Sequence, residues 1–290
     1  MSDAVLELNV AGWVERARAN PIAYAQRQAV EVTLNAIAMT AGLKEKLFLK
    51  GGVLMGLAYD SPRQTADIDL TAAFEVSPDI DEKIRGLLDG TFPRAAARLG
   101  YADLIVRVHS IARQPRAIFE TASFPALKIK IAFARRGTPQ EVALNKGMMP
   151  GKIEVDISFN EPLRQIQVLG LTGGAELYAY DLVELMAEKY RAMLQQKERN
   201  RNRRQDVYDL DRLIDGREFT PEVLTHILEV FVAKCQSRNI EPTIDSLDDA
   251  EVRRRSAADW QTMQLEIGTL PEFEGCYSRV SSFYRALPWT

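Results

Sequence analysis

The segment KGGVLMGLAYDSPRQTADIDL, residues 50–70, holds two features able to act on a phosphate. Gly51-Gly52 ends a short apolar run just before a helical stretch. Backbone N–H groups at such a helix start can meet a phosphate with no side chain in the way. Asp67 and Asp69 follow in a strand pattern, where residues i and i+2 project from one face while Ile68 and Leu70 pack on the other. Two carboxylates on one face repel unless a cation or a shared proton relieves them. A hard ion such as Mg²⁺ typically sits on one or two carboxylates plus phosphate oxygens. The competing reading is a solvent-facing edge strand with two exposed acids.

Asp-x-Asp recurs twice more, and neither copy has the same meaning. Asp79 and Asp81 follow Ser77-Pro78, where acidic residues open a helix and favour its positive end. Asp209 and Asp211 fall on a predicted helix, where residues two apart point about 200° from each other and cannot share a cation. A third acid is expected from the strand GKIEVDIS, in which Ile153, Val155 and Ile157 alternate with Glu154, Asp156 and Ser158. Asp156 is the preferred candidate. With Asp67 and Asp69 it would surround two divalent ions, one activating an attacking hydroxyl and the other stabilising a leaving pyrophosphate.

These residues need a sheet to hold them, and the pattern supplies one. A helical stretch over residues 11–41, interrupted at Pro21, carries Val30, Leu34, Ile37 and Ala38 on one face. Strand patterns follow at KLFLK, DIDLTAAF, YADLIVRVHSIARQP, FPALKIKIAFARRG, GKIEVDISFNEPL and LRQIQVLG, with a helix over residues 79–99 among them. After LTGGAE the periods become helical, over 180–196, 205–215, 220–236, 246–266 and 272–286. The expected architecture is therefore an α/β (α+β) domain with a mixed sheet, residues 1–172, followed by an all-helical domain, residues 173–290.

The helical half adds charged candidates. Leu182, Met186, Lys189 and Met193 form one apolar stripe interrupted by a lysine, which either snorkels to solvent or meets the triphosphate of a substrate. On the next helix Asp206, Leu210 and Leu213 share a face, with Asp209 on its flank. The run KERNRNRRQ, residues 197–205, is either a solvated helix end or a contact to RNA or triphosphate through Arg201, Arg203 or Arg204. Arg253-Arg254-Arg255 invites the same idea with less support. His109 and His226 read as structural, and the lone Cys235 and Cys276 suggest no redox role.

Composition bounds the function. The 290 residues, 46% apolar and 27% charged, suit a globular protein with a real core. A formal net charge of −3 gives no global attraction to nucleic acid, so polyanion contacts must be local. Two cysteines and two histidines leave few soft ligands, and no structural zinc site is expected. The N-terminal sequence has no export-signal pattern and no apolar run reaches membrane-spanning length, so a cytoplasmic, disulfide-free protein is expected.

KGG with Leu54 and Tyr59, then Arg63-Gln-Thr65-Ala-Asp67-Ile-Asp69-Leu70, KIEVDIS, AEKYRAM and QDVYDL, in that order, resemble the AbiEii/AbiGii nucleotidyltransferase toxins of the DNA polymerase β-like superfamily. The motifs span residues 48–215. Thr65 stands where the family often has Ser, and Gln205 where Arg is usual. The resemblance implies a Mg²⁺- or Mn²⁺-dependent nucleotidyltransferase (EC 2.7.7 type) that acts as the toxin of an abortive-infection, toxin–antitoxin system. Its substrate would be a nucleoside triphosphate, its acceptor tRNA or another RNA, and its partner a cognate antitoxin. Gly51 and Gly52 would hold phosphate, Asp67, Asp69 and Asp156 metal, and Lys189 the triphosphate, in a groove between the two domains. Arg63 would order its loop by pairing with a carboxylate or touch a phosphate. An aspartate at 206 or 209 would complete the site, and spacing leaves both open. Other classes that share these residues are an inactive nucleotide- or RNA-binding module and an antibiotic-type, small-molecule nucleotidyltransferase.

Overall fold

The computed structural model describes residues 5–289. In chain order the regular elements are β1 (Val5–Glu7), α1 (Val10–Glu15), α2 (Pro21–Ala38), β2 (Leu47–Lys50), α3 (Gly51–Ala58), β3 (Ile68–Ala72), α4 (Ile80–Arg98), β4 (Leu104–Gln114), β5 (Ala126–Arg135), α5 (Pro139–Asn145), β6 (Gly151–Phe159), β7 (Ile166–Leu171), β8 (Ala175–Tyr180), α6 (Leu182–Leu194), α7 (Arg204–Ile214), α8 (Pro221–Gln236), α9 (Ala250–Ala257), α10 (Gln264–Ile267) and α11 (Phe273–Arg285). Pro21 breaks the first helical stretch because it has no N–H to give an earlier turn. It fits at the first position of α2, where Asn20 caps the free N–H groups of Ile22 and Ala23.

The strands form one mixed sheet in the order β1-β7-β8-β2-β3-β6-β5-β4. β3 pairs parallel with β6 and antiparallel with β2, and β5 pairs antiparallel with both β6 and β4. The period of two explains the burial. Ile68 and Leu70, Leu127, Ile129 and Ile131, and Ile153, Val155 and Ile157 are all buried. α2 and α4 pack on the sheet and on each other, with Val30, Leu34 and Ile37 of α2 in the core. Asp81, in the first turn of α4, pairs with Arg113 of β4 at 2.6 Å, so the Asp79/Asp81 copy belongs to a helix start.

The chain divides into two compact units, and the division departs from the one expected. β8 lies beyond residue 172, yet it is an interior strand paired with β2, so the first unit runs on to Ala179. The Gly173-Gly174 turn, both residues at positive φ, joins β7 to β8 instead of marking a boundary. The segments 59–64 and 162–166 belong with residues 180–290 in the second unit.

The second unit is helical around Tyr190, Phe231 and Tyr284, whose rings meet at centroid separations of 5.3–6.2 Å. Its interior also holds a buried ion pair, Lys234 to Glu184 at 2.6 Å. Glu184 Oε2 accepts the backbone N–H groups of Arg164 and Gln165, and the Lys234 ammonium donates to the Pro162 carbonyl at 2.9 Å. One ion pair therefore fastens the 162–166 segment to α6 and α8. Removing one partner of a buried pair strands the other charge, so Lys234→Met should destabilise the protein by about 3–5 kcal/mol. The double variant Glu184→Gln/Lys234→Met should recover part of that loss, as read by chemical denaturation.

Candidate active site

β3 and β6 run parallel, and their register sets Asp69 beside Asp156. Neighbouring strands are about 4.8 Å apart, and side chains of register partners leave the same face. The same row of the sheet continues to Lys50 on β2, partner of Asp69, and to Lys128 on β5, partner of Asp156. Its charges read plus, minus, minus, plus. Lys128 Nζ meets Asp156 Oδ2 at 2.5 Å, and Lys50 Nζ donates to Ser158 Oγ at 2.9 Å. The lysines supply the compensation that two adjacent carboxylates require.

Asp67 lies one residue before β3 and is exposed. Its N–H donates to Thr65 Oγ1 at 3.4 Å, a turn that a threonine closes as well as the serine usual in the resembled family. Desolvation by the surrounding protein raises its carboxyl pKa, and repulsion from Glu154 and Asp156 acts in the same direction. Glu154, on the row next to Asp156, is held below its usual range mainly by its bond to Lys152. Negative charge thus accumulates at this end of β3 and β6 despite the lysines around it.

Gly51 begins α3 directly after Lys50, with φ +71°. A Cβ there would stand 2.0 Å from Asp69 Oδ2, so the space a side chain would fill is taken by the aspartate's carboxylate. This is the strict reason for glycine at 51. The free N–H groups at the start of α3 and the carboxylate of Asp69 share one corner of the fold.

The donor set suits a hard divalent ion that takes two protein carboxylates and completes its shell with water and phosphate oxygens, as Mg²⁺ does. Among the described residues no three Asp, Glu, His or Cys side chains converge on one point. The three expected metal ligands are therefore not assembled as a closed cage: Asp69 and Asp156 are side by side, and Asp67 stands beyond the end of the strand.

The second unit contains its own charged cluster. Lys189 of α6 is buried, with Asp209 Oδ2 at 2.5 Å and Asp206 Oδ1 at 3.3 Å, both on α7. Burial opposes its charge, and the carboxylates of Asp209 and Asp206 more than offset this, so its pKa lies above the usual lysine value. Lys189 is thus buried and paired, and does not snorkel to solvent. Asp209 also accepts from Arg63 at 3.3 Å, a pairing that is one of the two roles expected of Arg63. Asp209 is fully buried, whereas Asp206 keeps some solvent access and also faces Arg203 at 3.6 Å. Asp211 turns away to a two-point bond with Arg279, as the helical geometry requires.

Arg201 is exposed, Arg203 and Arg204 are partly buried, and all three lie at the turn into α7. Arg253, Arg254 and Arg255 are each paired with Glu274 or Glu251, which leaves that run the character of a solvated helix face. Cys235 and Cys276 are buried, and burial pushes both thiols up to about 12, so neither is a nucleophile at neutral pH. The sequence alone does not single out Lys50 and Lys128 as site residues. The alternation ALKIKIAF does place Lys128 and Lys130 on one face, but nothing local names the strand beside it.

Gly51→Ala should displace Asp69 while leaving the fold intact. A misplacement of about 1 Å costs on the order of 10²-fold in rate. Turnover measured beside far-ultraviolet circular dichroism checks both parts of that expectation.

Comparison with known proteins agrees with this fold. No curated protein sequence matches the chain. A crystal structure of an H. pylori protein assigned as a nucleotidyltransferase superposes with a TM-score of 0.53 at 13% identity, covering 92% of this chain and 95% of that one. MenT4, a nucleotidyltransferase toxin from Mycobacterium tuberculosis, superposes with a TM-score of 0.56 at 19% identity, covering 96% and 88%. At such identities the likeness concerns the fold alone. The family model described as nucleotidyl transferase AbiEii toxin, type IV toxin–antitoxin system, matches residues 33–279. That span, from within α2 to within α11, takes in every candidate residue from Gly51 to Asp209, and the chain belongs to the AbiEii nucleotidyltransferase toxin family.

Proposed function

We propose that the protein transfers a nucleoside monophosphate from a nucleoside triphosphate to an RNA acceptor, with tRNA the favoured class, in the presence of Mg²⁺ or Mn²⁺. The observation that carries this reading is the register of Asp69 with Asp156 beside the start of α3. Asp69, Asp156 and, from the end of β3, Asp67 would hold the ion, which when bound stabilises charge on the triphosphate and the leaving pyrophosphate. The N–H groups of Gly51 and Gly52 would donate to phosphate oxygens. Asp156 would take the proton of the attacking hydroxyl as its oxygen bonds to the α-phosphorus and the bond to the β-phosphate oxygen breaks.

In the second unit, Asp209 and Arg63 would fix Lys189, and the more accessible Asp206 would be the acid able to exchange Lys189 for a substrate group. Lys189 would then help to neutralise the triphosphate. Arg201, Arg203 and Arg204 are proposed RNA contacts. The protein would work as a toxin on cytoplasmic RNA under the control of an antitoxin; no helix among the described residues is long and apolar enough to cross a membrane.

Each of the four α-³²P nucleoside triphosphates, incubated with purified tRNA and Mg²⁺, tests this reading against the Asp69→Asn variant. Label should reach RNA from one or a few nucleotides and vanish in the variant. Pyrophosphate release without labelled RNA would sink the RNA acceptor and favour a small-molecule or protein acceptor. Nucleotide binding without any turnover would favour an inactive binding module.

A further inference from the structure

The row Lys50, Asp69, Asp156, Lys128 has two unlike ends. Lys50 is buried, bonded to Ser158, and followed at once by Gly51 and the start of α3. Lys128 is 40% exposed and its carboxylate partner 39%, so water screens that pair and holds it weakly. The inner lysine is fixed by its surroundings, while the outer one can leave.

A divalent ion on Asp156 needs the carboxylate lone pairs that Lys128 uses, and two cations at one carboxylate repel each other. The N–H groups that would donate to phosphate stand at the β2 end of the row, so the triphosphate belongs at that end. The hydroxyl whose proton Asp156 takes must then come from the β5 end. There Lys130, partner of Glu154, continues a cationic strand. Beyond it β4 presents Ser110 and Ala112, side chains too short to obstruct a polymer laid across the sheet.

We propose that Lys128 competes with the divalent ion for Asp156, and that the ammonium released when the ion binds takes a backbone phosphate of the RNA acceptor. The proposal rests on the metal-site reading given above. Lys128 is on this account a positioning residue, which keeps Asp156 neutralised until the ion arrives and then steers the acceptor.

Calorimetric titration of the full chain with Mn²⁺ alone, without nucleotide, compares wild type, Lys128→Met, Lys130→Met and Asp69→Asn. Loss of a half-exposed competitor should tighten Mn²⁺ binding by about three- to fivefold in Lys128→Met. Lys130→Met, which removes the same charge one row away, should change it by no more than about twofold. The same Lys128→Met protein should show a raised KM for tRNA and an unchanged KM for the nucleotide, with Lys128→Arg restoring the tRNA value. Tighter ion binding joined to weaker acceptor binding is a split that a merely structural lysine would not produce. Mn²⁺ affinity that depends on Asp69 but is unmoved or weakened in Lys128→Met overturns the competitor role alone. Mn²⁺ binding that survives Asp69→Asn overturns the metal-site reading and the competitor role with it. A raised nucleotide KM with an unchanged tRNA KM overturns the acceptor side of the proposal.

Discussion

Two carboxylates set side by side on neighbouring strands repel, and the β3–β6 register imposes that arrangement on Asp69 and Asp156. Much else in the first unit follows from holding this pair. Lys50 and Lys128 flank it in the same row, and Gly51 gives up a side chain so that the Asp69 carboxylate has somewhere to sit. The buried partners of these residues, Ile68, Leu70, Val155 and Ile157, press the other face of the sheet into the core and so lock the register. A one-residue slip of either strand would turn its carboxylates into that core, which is why the pairing is strongly specified. The charge row and the hydrophobic core are thus two faces of one constraint.

The second unit solves a different electrostatic problem by burying its ions in pairs. Lys189 lies on the apolar stripe of α6, which is tolerable because Asp209 and Asp206 reach it from α7 and Arg63 completes the charge balance of Asp209. Lys234 and Glu184 do the same and add three bonds to the backbone of the 162–166 segment. Breaking such pairs is far costlier than forming them is rewarding, so they act as registration devices more than as sources of net stability.

Local pattern carried a large part of this structure. The alternation in DIDL and KIEVDIS foretold which side of each strand would be buried, and helical geometry separated Asp209 from Asp211. Pro21 marked the start of α2. What escaped the sequence was non-local. β8, with its Gly-Gly turn, looked like the entry to the helical half, and only its pairing with β2 makes it part of the sheet. The Asp69–Asp156 neighbourhood, which joins residues 87 positions apart (156 − 69), was expected from the acids on the polar faces of DIDL and KIEVDIS and the order of the motifs, but not the pairing of the two strands that produces it. Lys128 was invisible for the same reason, since a lysine on an alternating strand means little until the strand beside it is known. Asp206 and Asp209 could not be ranked because their difference is one of depth, which spacing does not report.

On the proposed reading Asp69 and Asp156 together would hold the catalytic ion. Crystals of the protein grown with Mn²⁺ and a non-hydrolysable nucleoside triphosphate, with data collected at the manganese edge, test it most directly. An anomalous peak is expected about 2.1 Å from carboxylate oxygens of both residues, the metal–oxygen distance of a hard octahedral ion, with the triphosphate reaching the start of α3. Manganese bound to the triphosphate but touching neither aspartate would contradict it.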